Sequence, residues 1–461
     1  MSSEKKKGFS VQDKGKFGSK IGFILAAAGS AVGLGNIWRF PYLAAKYGGG
    51  LFLVIYIILA VTFGFALLLT EIAIGRRTEK SVIGAYTSIN KKFSSLGWLA
   101  AAVPVIITPY YCVIGGWVLK YLFTFITGNG TEAADEGSYF SDFIGSAAQP
   151  TIFFGVFLVL TSIIVMLGVE KGIERLSKFM MPTLILLTIG IAVYTLTMDG
   201  AGEGLKYYLL PNFEGFTFGK LMETVAAAMG QLFYSMSIAM GIMITYGSYM
   251  RKEDSLERSV RQIEMFDTGI AILAGLIIVP AVFIFSGGNA EALNKGPGLM
   301  FITLPNVFKS MVGGQIAGTV FFILVALAAL TSSISLMETV VSILMEKFHL
   351  HRIKASLITM VICLILGMLS VLGYSVWDTF TILGKPFLDL FDFLSNNIMM
   401  PIVAFMTCIL IGWIVKPGYI EEEILVSEKK FRSRRLAWVM LRYICPICMI
   451  IILITPLVTD I

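Results

Sequence analysis

Charged side chains are scarce in this sequence. Only 14% of its 461 residues are Asp, Glu, Lys or Arg, whereas 56% are hydrophobic. Soluble domains carry about 25% charged residues, so the composition excludes an ordinary soluble protein and indicates a polytopic membrane protein. The net charge of +6 does not favour nucleic-acid binding, because the basic residues lie in short loops between apolar segments.

Residues that bind metals, form disulfides or carry out covalent chemistry are also few. The two histidines, His349 and His351, share one short loop and do not form a metal site. Cys445 and Cys448 form a CxxC pattern, but it lies inside an apolar segment without βαβ surroundings, which favours structural cysteines over a redox motif. There is no Walker motif and no nucleophile–base arrangement, so we expect neither an ATP-driven pump nor an enzyme, and no organic cofactor.

Long uncharged segments are abundant, and each of them can cross about 30 Å of hydrocarbon. We count eleven, at residues 17–45, 51–71, 97–126, 151–169, 179–198, 219–250, 263–286, 315–346, 353–374, 385–415 and 436–459. No small-residue cleavage site follows the first one, so it is predicted to be a retained helix and not a signal peptide. The sequence therefore predicts an all-α protein with eleven transmembrane helices.

Lys and Arg alternate between the two sides of these segments. The N-terminal tail and every second loop are basic, whereas the loop at 127–150 contains no Lys or Arg. The positive-inside rule predicts a cytoplasmic N-terminus and an external C-terminus in the cell membrane. The predicted organisation is a tail (1–16), a first five-helix repeat (17–198), an external loop (199–218), a second repeat (219–415), a cytoplasmic loop (416–435) and an eleventh helix (436–461).

Two of the segments cannot be single straight helices. The first contains Gly29, Gly33 and Gly35, and the sixth has Ser237 and Gly241 near its middle. Breaks at matching positions of two five-span halves indicate inverted repeats with a binding site between broken helices 1 and 6. The two halves share no obvious residue identity. The alternative for the first segment alone is a Gly-x-x-x-Gly helix-packing motif.

Polar residues inside two other spans also require an explanation. The Thr331 and Ser332 hydroxyls, with a nearby carbonyl, could ligate a small monovalent cation; the alternative is hydrogen bonding to their own helix. Asp267 costs about 2.5–3.5 kcal/mol on insertion scales unless it has a partner. The alternative is a position at the cytoplasmic interface, in contact with water.

Four stretches carry a family resemblance: GSAVGLGNIWRFP at 29–41, GQLFYSMSIAMG at 230–241, LTSSISLME at 330–338 and LDLFDF at 388–393. In order and context they resemble the neurotransmitter:sodium symporter family, in particular its bacterial amino-acid transporters, and the similarity covers essentially the whole chain. The resemblance implies a secondary active symporter that couples inward sodium movement to uptake of a neutral, hydrophobic or aromatic amino acid by alternating access. A channel or passive pore remains the alternative class.

The resemblance also implies site residues, position by position. One sodium ion would be ligated together with the substrate by Ala31, Asn36, Ser235 and Asp267. A second would be ligated by Gly29, Val32, Ala328, Thr331 and Ser332. The substrate would contact Ala31, Leu34, Gly35, Ile107, Tyr111, Tyr234, Ser235, Ser237, Met240, Ser333 and Leu336.

The same resemblance implies gates on both sides of the site. The external gate would consist of Arg39, Gln231 and Asp392, and the internal gate of Lys14, Phe17, Tyr249 and Glu346. Lys14 and Phe17 stand where many members have Arg and Trp. Gly172 and Pro182 match a pattern tied to unwinding of helix 5.

Chloride is the last expectation. Asp267 stands where chloride-dependent members have Asn, and Ala271 where they have the chloride-binding Ser. We therefore expect transport without chloride. The expected partners are the amino acid and the lipid bilayer, with no nucleic acid and no obligate protein partner.

Overall fold

A computed structural model describes residues 15–135, 137–211, 213, 217–286 and 297–459, with side chains as far as residue 455. Within these ranges the regular elements are helices, and the only β pairing is two isolated bridges. In chain order they begin with α1 Lys20–Ala31, α2 Gly35–Lys46, α3 Gly50–Thr78, α4 Val82–Ile89, α5 Lys91–Ile126, α6 Ser138–Gly145, α7 Ala148–Met166, α8 Val169–Leu196 and α9 Ala201–Leu209. They continue with α10 Phe218–Ser235, α11 Ile242–Tyr249, α12 Leu256–Phe285, α13 Leu304–Ser310, α14 Gly314–Phe348, α15 Arg352–Leu372, α16 Phe387–Ile414, α17 Gly418–Leu425 and α18 Arg434–Thr455.

The described part of the chain contains nine helices long and apolar enough to span a bilayer. They are α3, α5, α7, α8, α12, α14, α15, α16 and α18. A tenth span results if α1 and α2, bent by 55° across a short break, are taken together. The pair α10 and α11 occupies the place of the predicted sixth span without meeting the same criteria, so the count of eleven and the inverted repeats stay predictions.

The first break lies at residues 32–34. Val32 leaves the helix with ψ 92°, while its N–H still donates to the Ala28 carbonyl and ends α1. Gly33 follows because a Cβ there would lie 2.8 Å from the Ser332 Oγ and 3.1 Å from the Tyr111 hydroxyl. The break therefore lies directly against α14 and α5.

The second break separates α10 from α11. Ser237, Ala239 and Gly241 have φ values of 53°, 63° and 72°, in the left-handed region that residues with a Cβ rarely adopt. Such a conformation persists only where neighbouring groups determine it. Both predicted interruptions are thus real breaks in the helices.

Helix α11, which follows the second break, crosses α3 so closely that the two backbones are in van der Waals contact. A Cβ on Gly75 would overlap the Ile244 carbonyl oxygen, and a Cβ on Gly247 would overlap the Ile72 carbonyl oxygen. Two small residues therefore fix how closely α11 approaches α3.

This close crossing generates a stability prediction. Gly75→Ala should lower the midpoint of thermal unfolding of the purified protein, because the added methyl has no free space and overpacking typically costs about 1–3 kcal/mol. Gly190→Ala is the matched control, since a Cβ at that exposed position in α8 meets nothing within 4 Å. The control should be neutral or slightly stabilising; equal midpoints for the Gly75 variant and the parent would contradict the packing argument.

Candidate functional site

A pocket lies between the two breaks. Both breaks contribute to its wall, together with α5 and α14. Of the eleven residues expected to contact a substrate, ten line it: Ala31, Leu34, Gly35, Ile107, Tyr111, Tyr234, Ser235, Ser237, Met240 and Leu336.

Ser333 is the exception. Its hydroxyl lies 3.0 Å from the Thr161 hydroxyl of α7 and donates to the Leu330 carbonyl. Ser332 lines the pocket in its place. The reason is helical geometry: successive residues of α14 point about 100° apart, so a shift of one residue changes the face.

One end of the pocket is polar. The Leu34 N–H, at the start of α2, donates to the Tyr111 hydroxyl over 3.4 Å. The Gln231 amide donates to the Gly35 carbonyl over 3.1 Å, and a Cβ on Gly35 would lie 2.9 Å from the Tyr234 ring. Backbone N–H groups at the beginning of a helix favour an anion, so this end is suited to a carboxylate.

Asp267 lies beside this end and is fully buried, which excludes the alternative that it faces water at the membrane interface. Its Oδ1 accepts from the Asn36 amide at 2.8 Å and from the Ser235 hydroxyl at 2.7 Å. Tyr56 donates to Oδ2 at 3.5 Å. The structure thus brings together three of the four predicted ligands of the first ion, while Ala31 lines the adjoining pocket. Tyr56 was not predicted from the sequence.

The second set of predicted ligands also converges. The Ser332 hydroxyl lies 3.4 Å from the Gly29 carbonyl oxygen and 3.5 Å from that of Val32. The Thr331 hydroxyl lies 3.0 Å from the Ala328 carbonyl oxygen, a bond to its own helix of the kind the alternative interpretation expects. These neutral oxygens form a hard ligand set without a carboxylate, which suits a monovalent cation better than Ca²⁺.

The described residues contain no comparable ligand set for softer metals. Across the described ranges, no group of three or more His, Cys, Asp or Glu side chains is arranged to hold a metal ion. The five cysteines are buried and unbridged. The ligand chemistry near the pocket is therefore that of carbonyls, hydroxyls, one amide and one carboxylate.

The predicted external-gate residues lie above the polar end of the pocket. The Arg39 guanidinium stands 5.7 Å from the centre of the Tyr234 ring. Asp392 accepts instead from the Tyr110 hydroxyl at 3.1 Å and from the Asn396 amide at 2.6 Å. Among the ion pairs within 4 Å in the described chain, none joins Arg39 to Asp392, so the two charges are held by separate neighbours.

On the opposite side, Phe17 packs edge-on against Phe23, Tyr246 and Tyr249. Glu346 accepts from the Ser81 N–H at 2.6 Å, at the start of α4. Lys14 lies outside the described residues. Gly172 lies in the first, π-helical turn of α8, and α8 continues as helix through Pro182.

A buried ion pair that the sequence reasoning missed stabilises this side. The Tyr249 hydroxyl donates to Glu338 at 2.8 Å, and Arg352 pairs with the same carboxylate at 2.6 Å. Arg352 also donates to the Val165 carbonyl, so the pair joins α11, α14, α15 and the end of α7. The sequence feature that indicates this pair is a carboxylate inside an apolar span, Glu338 at the end of the stretch LTSSISLME.

Glu71 is a second carboxylate that the sequence reasoning missed. It is 2% exposed, and its Oε1 accepts from the Ala239 N–H at 2.7 Å. The bond stabilises a residue with a left-handed backbone in the second break. The lone acidic residue in LLLTEIAIG was the corresponding sequence signal.

Comparison with known proteins agrees with this geometry. The model of the sodium:neurotransmitter symporter family matches residues 14–149 and 140–460. The uncharacterized sodium-dependent transporter YhdH of Bacillus subtilis is 35% identical over 448 residues, which are 96% of this chain and 98% of that protein. The human sodium- and chloride-dependent GABA transporter 2 is 25% identical over 486 residues, with coverage of 95% and 79%.

A solved structure matches over almost the same length. The crystal structure of MhsT in complex with L-phenylalanine superposes with a TM-score of 0.85 at 37% identity, covering 96% of this chain and 99% of that one. The fold and pocket are those of a membrane transporter built on broken helices. This chain belongs to the sodium:neurotransmitter symporter family. It is a multi-pass membrane transporter and not an enzyme.

The role of Glu71 leads to a testable prediction. Glu71→Ala leaves the Ala239 N–H unpaired in a buried position, and a buried donor without its partner costs about 1–3 kcal/mol. The variant should therefore unfold at a lower temperature than the parent and bind substrate more weakly. Glu71→Gln, which keeps an acceptor oxygen, is the control and should retain most of both properties. Equal losses in the Gln and Ala variants would show that the hydrogen bond to Ala239 is not the cause.

Proposed function

We propose that this protein is a sodium-coupled symporter for a neutral amino acid with a hydrophobic or aromatic side chain, working by alternating access. The observation that carries the proposal is the pocket between the two breaks, which adjoins both oxygen clusters. A ligand bound there would contact groups of each broken segment and of the ion sites at once. Substrate and ion binding would then be linked through shared residues.

The substrate would lie with its carboxylate towards the Leu34 and Gly35 N–H groups and the Tyr111 hydroxyl. Its amino group would face carbonyls of the two breaks, near Ala31, Tyr234 and Ser237. The remaining wall is apolar, formed by Ile107, Tyr234, Met240 and Leu336. The bound L-phenylalanine of the related MhsT supports a side chain of this class.

Two sodium ions would travel with the substrate. Ala31, Asn36, Ser235, Asp267 and the substrate carboxylate would ligate the first, and the cluster of Gly29, Val32, Ala328, Thr331 and Ser332 the second. Two charges crossing the membrane supply about 4.6 kcal/mol per 100 mV, from ~2.3 each. At ~1.4 kcal/mol per tenfold, that is roughly three decades of accumulation.

Alternating access would move the two five-helix repeats against each other. Arg39, Gln231 and Asp392 would close the external path, and Phe17, Tyr249 and Glu346, with Lys14, the internal one. We further propose that α8 unwinds between Gly172 and Pro182 during release, since Pro removes one helical hydrogen bond. The proposal includes eleven spans, a cytoplasmic N-terminus and an external C-terminus.

Chloride independence belongs to the same proposal. Two cations and a zwitterion need a compensating negative charge in a low-dielectric core, and an ionised Asp267 would supply it. The three hydrogen bonds donated to its buried carboxylate support a charged group at this position. Ala271, also buried, provides no hydroxyl for an anion.

The first test concerns sodium. Asn36→Ala should remove an ion ligand and abolish high-affinity, sodium-dependent binding of L-phenylalanine, measured by scintillation proximity on purified protein. Asn306→Ala is the matched control, because the Asn306 amide bonds the Asp135 and Ile302 carbonyls, which belong to neither the pocket nor the ion sites. Sodium-dependent binding that persists unchanged in Asn36→Ala would rule out this site.

The second test concerns chloride. Replacing chloride with gluconate should leave uptake into proteoliposomes unchanged in the parent protein. The double variant Asp267→Asn with Ala271→Ser should either be inactive or require chloride, because it exchanges the fixed charge for an anion site. Strong chloride stimulation of the parent would contradict the proposal.

A further inference from the structure

One basic side chain lies inside a span without an acidic partner. Arg442 falls within α18, eight residues after Arg434 at the helix start, or ~12 Å along the axis at 1.5 Å per residue. None of the ion pairs within 4 Å in the described chain includes it, and its buried Nε has no hydrogen-bond partner there. A lone Arg at such depth is costly, so its guanidinium needs an anion or water.

The surroundings of Arg442 are built from α16 and α18. Its guanidinium lies 5.1 Å from the centre of the Trp413 ring, and the Trp413 indole N–H donates to the Arg442 carbonyl over 3.0 Å. A Cβ on Gly412 would lie 2.9 Å from the Leu441 carbonyl oxygen, so the two backbones touch here. The indole therefore orients Arg442 and covers one face of its guanidinium.

The outer side of the Arg442 site, on α16 and α18, faces lipid. Trp413 is 48% exposed and Tyr443 52%, and they pack edge to face, as amphipathic rings do at a membrane interface. Exposed apolar side chains continue along the same helix ends: Ile414, Val439, Ile444 and Ile447. They offer a surface for acyl chains immediately beside the guanidinium.

The chain around the start of α18 is strongly basic. Lys429, Lys430, Arg432, Arg434 and Arg435 occur within seven residues. Arg434 pairs with Glu421 at 3.0 Å and stands 5.0 Å from the Trp438 ring, and the Trp438 indole N–H has no partner among the described residues. Basic clusters directly next to a transmembrane helix attract anionic lipids.

We propose that Arg442, Trp413 and Trp438, with the basic segment 429–435, bind the phosphate of an anionic phospholipid. In the proposed orientation this lipid belongs to the cytoplasmic leaflet. The phosphate accepts hydrogen bonds from the Arg442 guanidinium and the Trp438 indole N–H. The acyl chains lie against the exposed apolar side chains of α16 and α18. The bilayer is the source of the phosphate, because the site opens sideways towards hydrocarbon.

The experiment titrates the purified full-length protein in detergent with phosphatidylglycerol and follows the midpoint of thermal unfolding. Phosphatidylglycerol should raise the midpoint at lower concentration than phosphatidylcholine does. Arg442→Gln should weaken the apparent affinity for phosphatidylglycerol about fivefold, from ~1 kcal/mol per basic residue near an anionic surface. Lys354→Gln, which removes an exposed charge at the start of α15, is the control and should match the parent.

Two further measurements separate loss of lipid binding from misfolding and from binding of free phosphate. Arg442→Lys keeps the charge and should keep the preference for phosphatidylglycerol, whereas a variant that merely misfolds would lose the response to both lipids. Free glycerol phosphate at equal concentration should not raise the midpoint. Equal responses to both lipids, an unchanged response in Arg442→Gln, or stabilisation by free glycerol phosphate would each overturn the proposal.

Discussion

A backbone break inside a membrane protein leaves N–H and carbonyl groups that no water can satisfy, and each unsatisfied group costs several kcal/mol. Two such breaks, at residues 32–34 and 236–241, face each other in this chain. The polar residues of the surrounding spans are their partners. Asn36 accepts from the Gly33 N–H, Tyr111 from that of Leu34, and Glu71 from that of Ala239. The pocket exists because these partners hold the broken ends apart.

Two of the groups that bond the first broken segment, Asn36 and Ser332, are also proposed ion ligands, and this has a mechanistic consequence. In the present structure the Ser332 hydroxyl faces carbonyls at the end of α1 and in the first break, and the Asn36 amide donates to Asp267. If a cation binds there as proposed, these oxygens become its ligands and the hydroxyl proton turns away. Since Ser332 belongs to α14 and the carbonyls lie at the end of α1 and in the first break, the ion would then replace a weak link between two helices with a stronger one. Under this proposal, ion binding and helix position are coupled through the same atoms.

The sequence predicted the class of fold, because long charge-free segments are a local pattern. They predicted eleven spans, and nine to ten are found in the described chain. The glycines of the first segment, and the polar residues with Gly241 in the sixth, indicated the two breaks. The place of the site stays a prediction, and ten of the eleven expected substrate contacts line the pocket between the breaks. Ser333, an expected substrate contact, lies outside the pocket while Ser332 lines it, because a pattern of hydroxyls does not determine which way a helix is rotated. Glu71, Glu338 and Tyr56 were missed for a different reason: their partners lie far away in the chain. Tertiary packing alone brings Glu71 to Ala239, and Glu338 to Tyr249 and Arg352.

The two buried carboxylates near the breaks are satisfied differently, which separates their roles. Asp267 receives hydrogen bonds from three side chains, whereas Glu71 receives one from a backbone N–H and its Oε2 has no partner in the described chain. Several donors are what a buried charge requires, so the proposed negative charge of the ion site is assigned to Asp267 and not to Glu71. A single bond is enough to determine a strained backbone conformation. Glu71 therefore maintains the shape of the second break, while Asp267 would provide the charge that a cation meets in the proposed ion site.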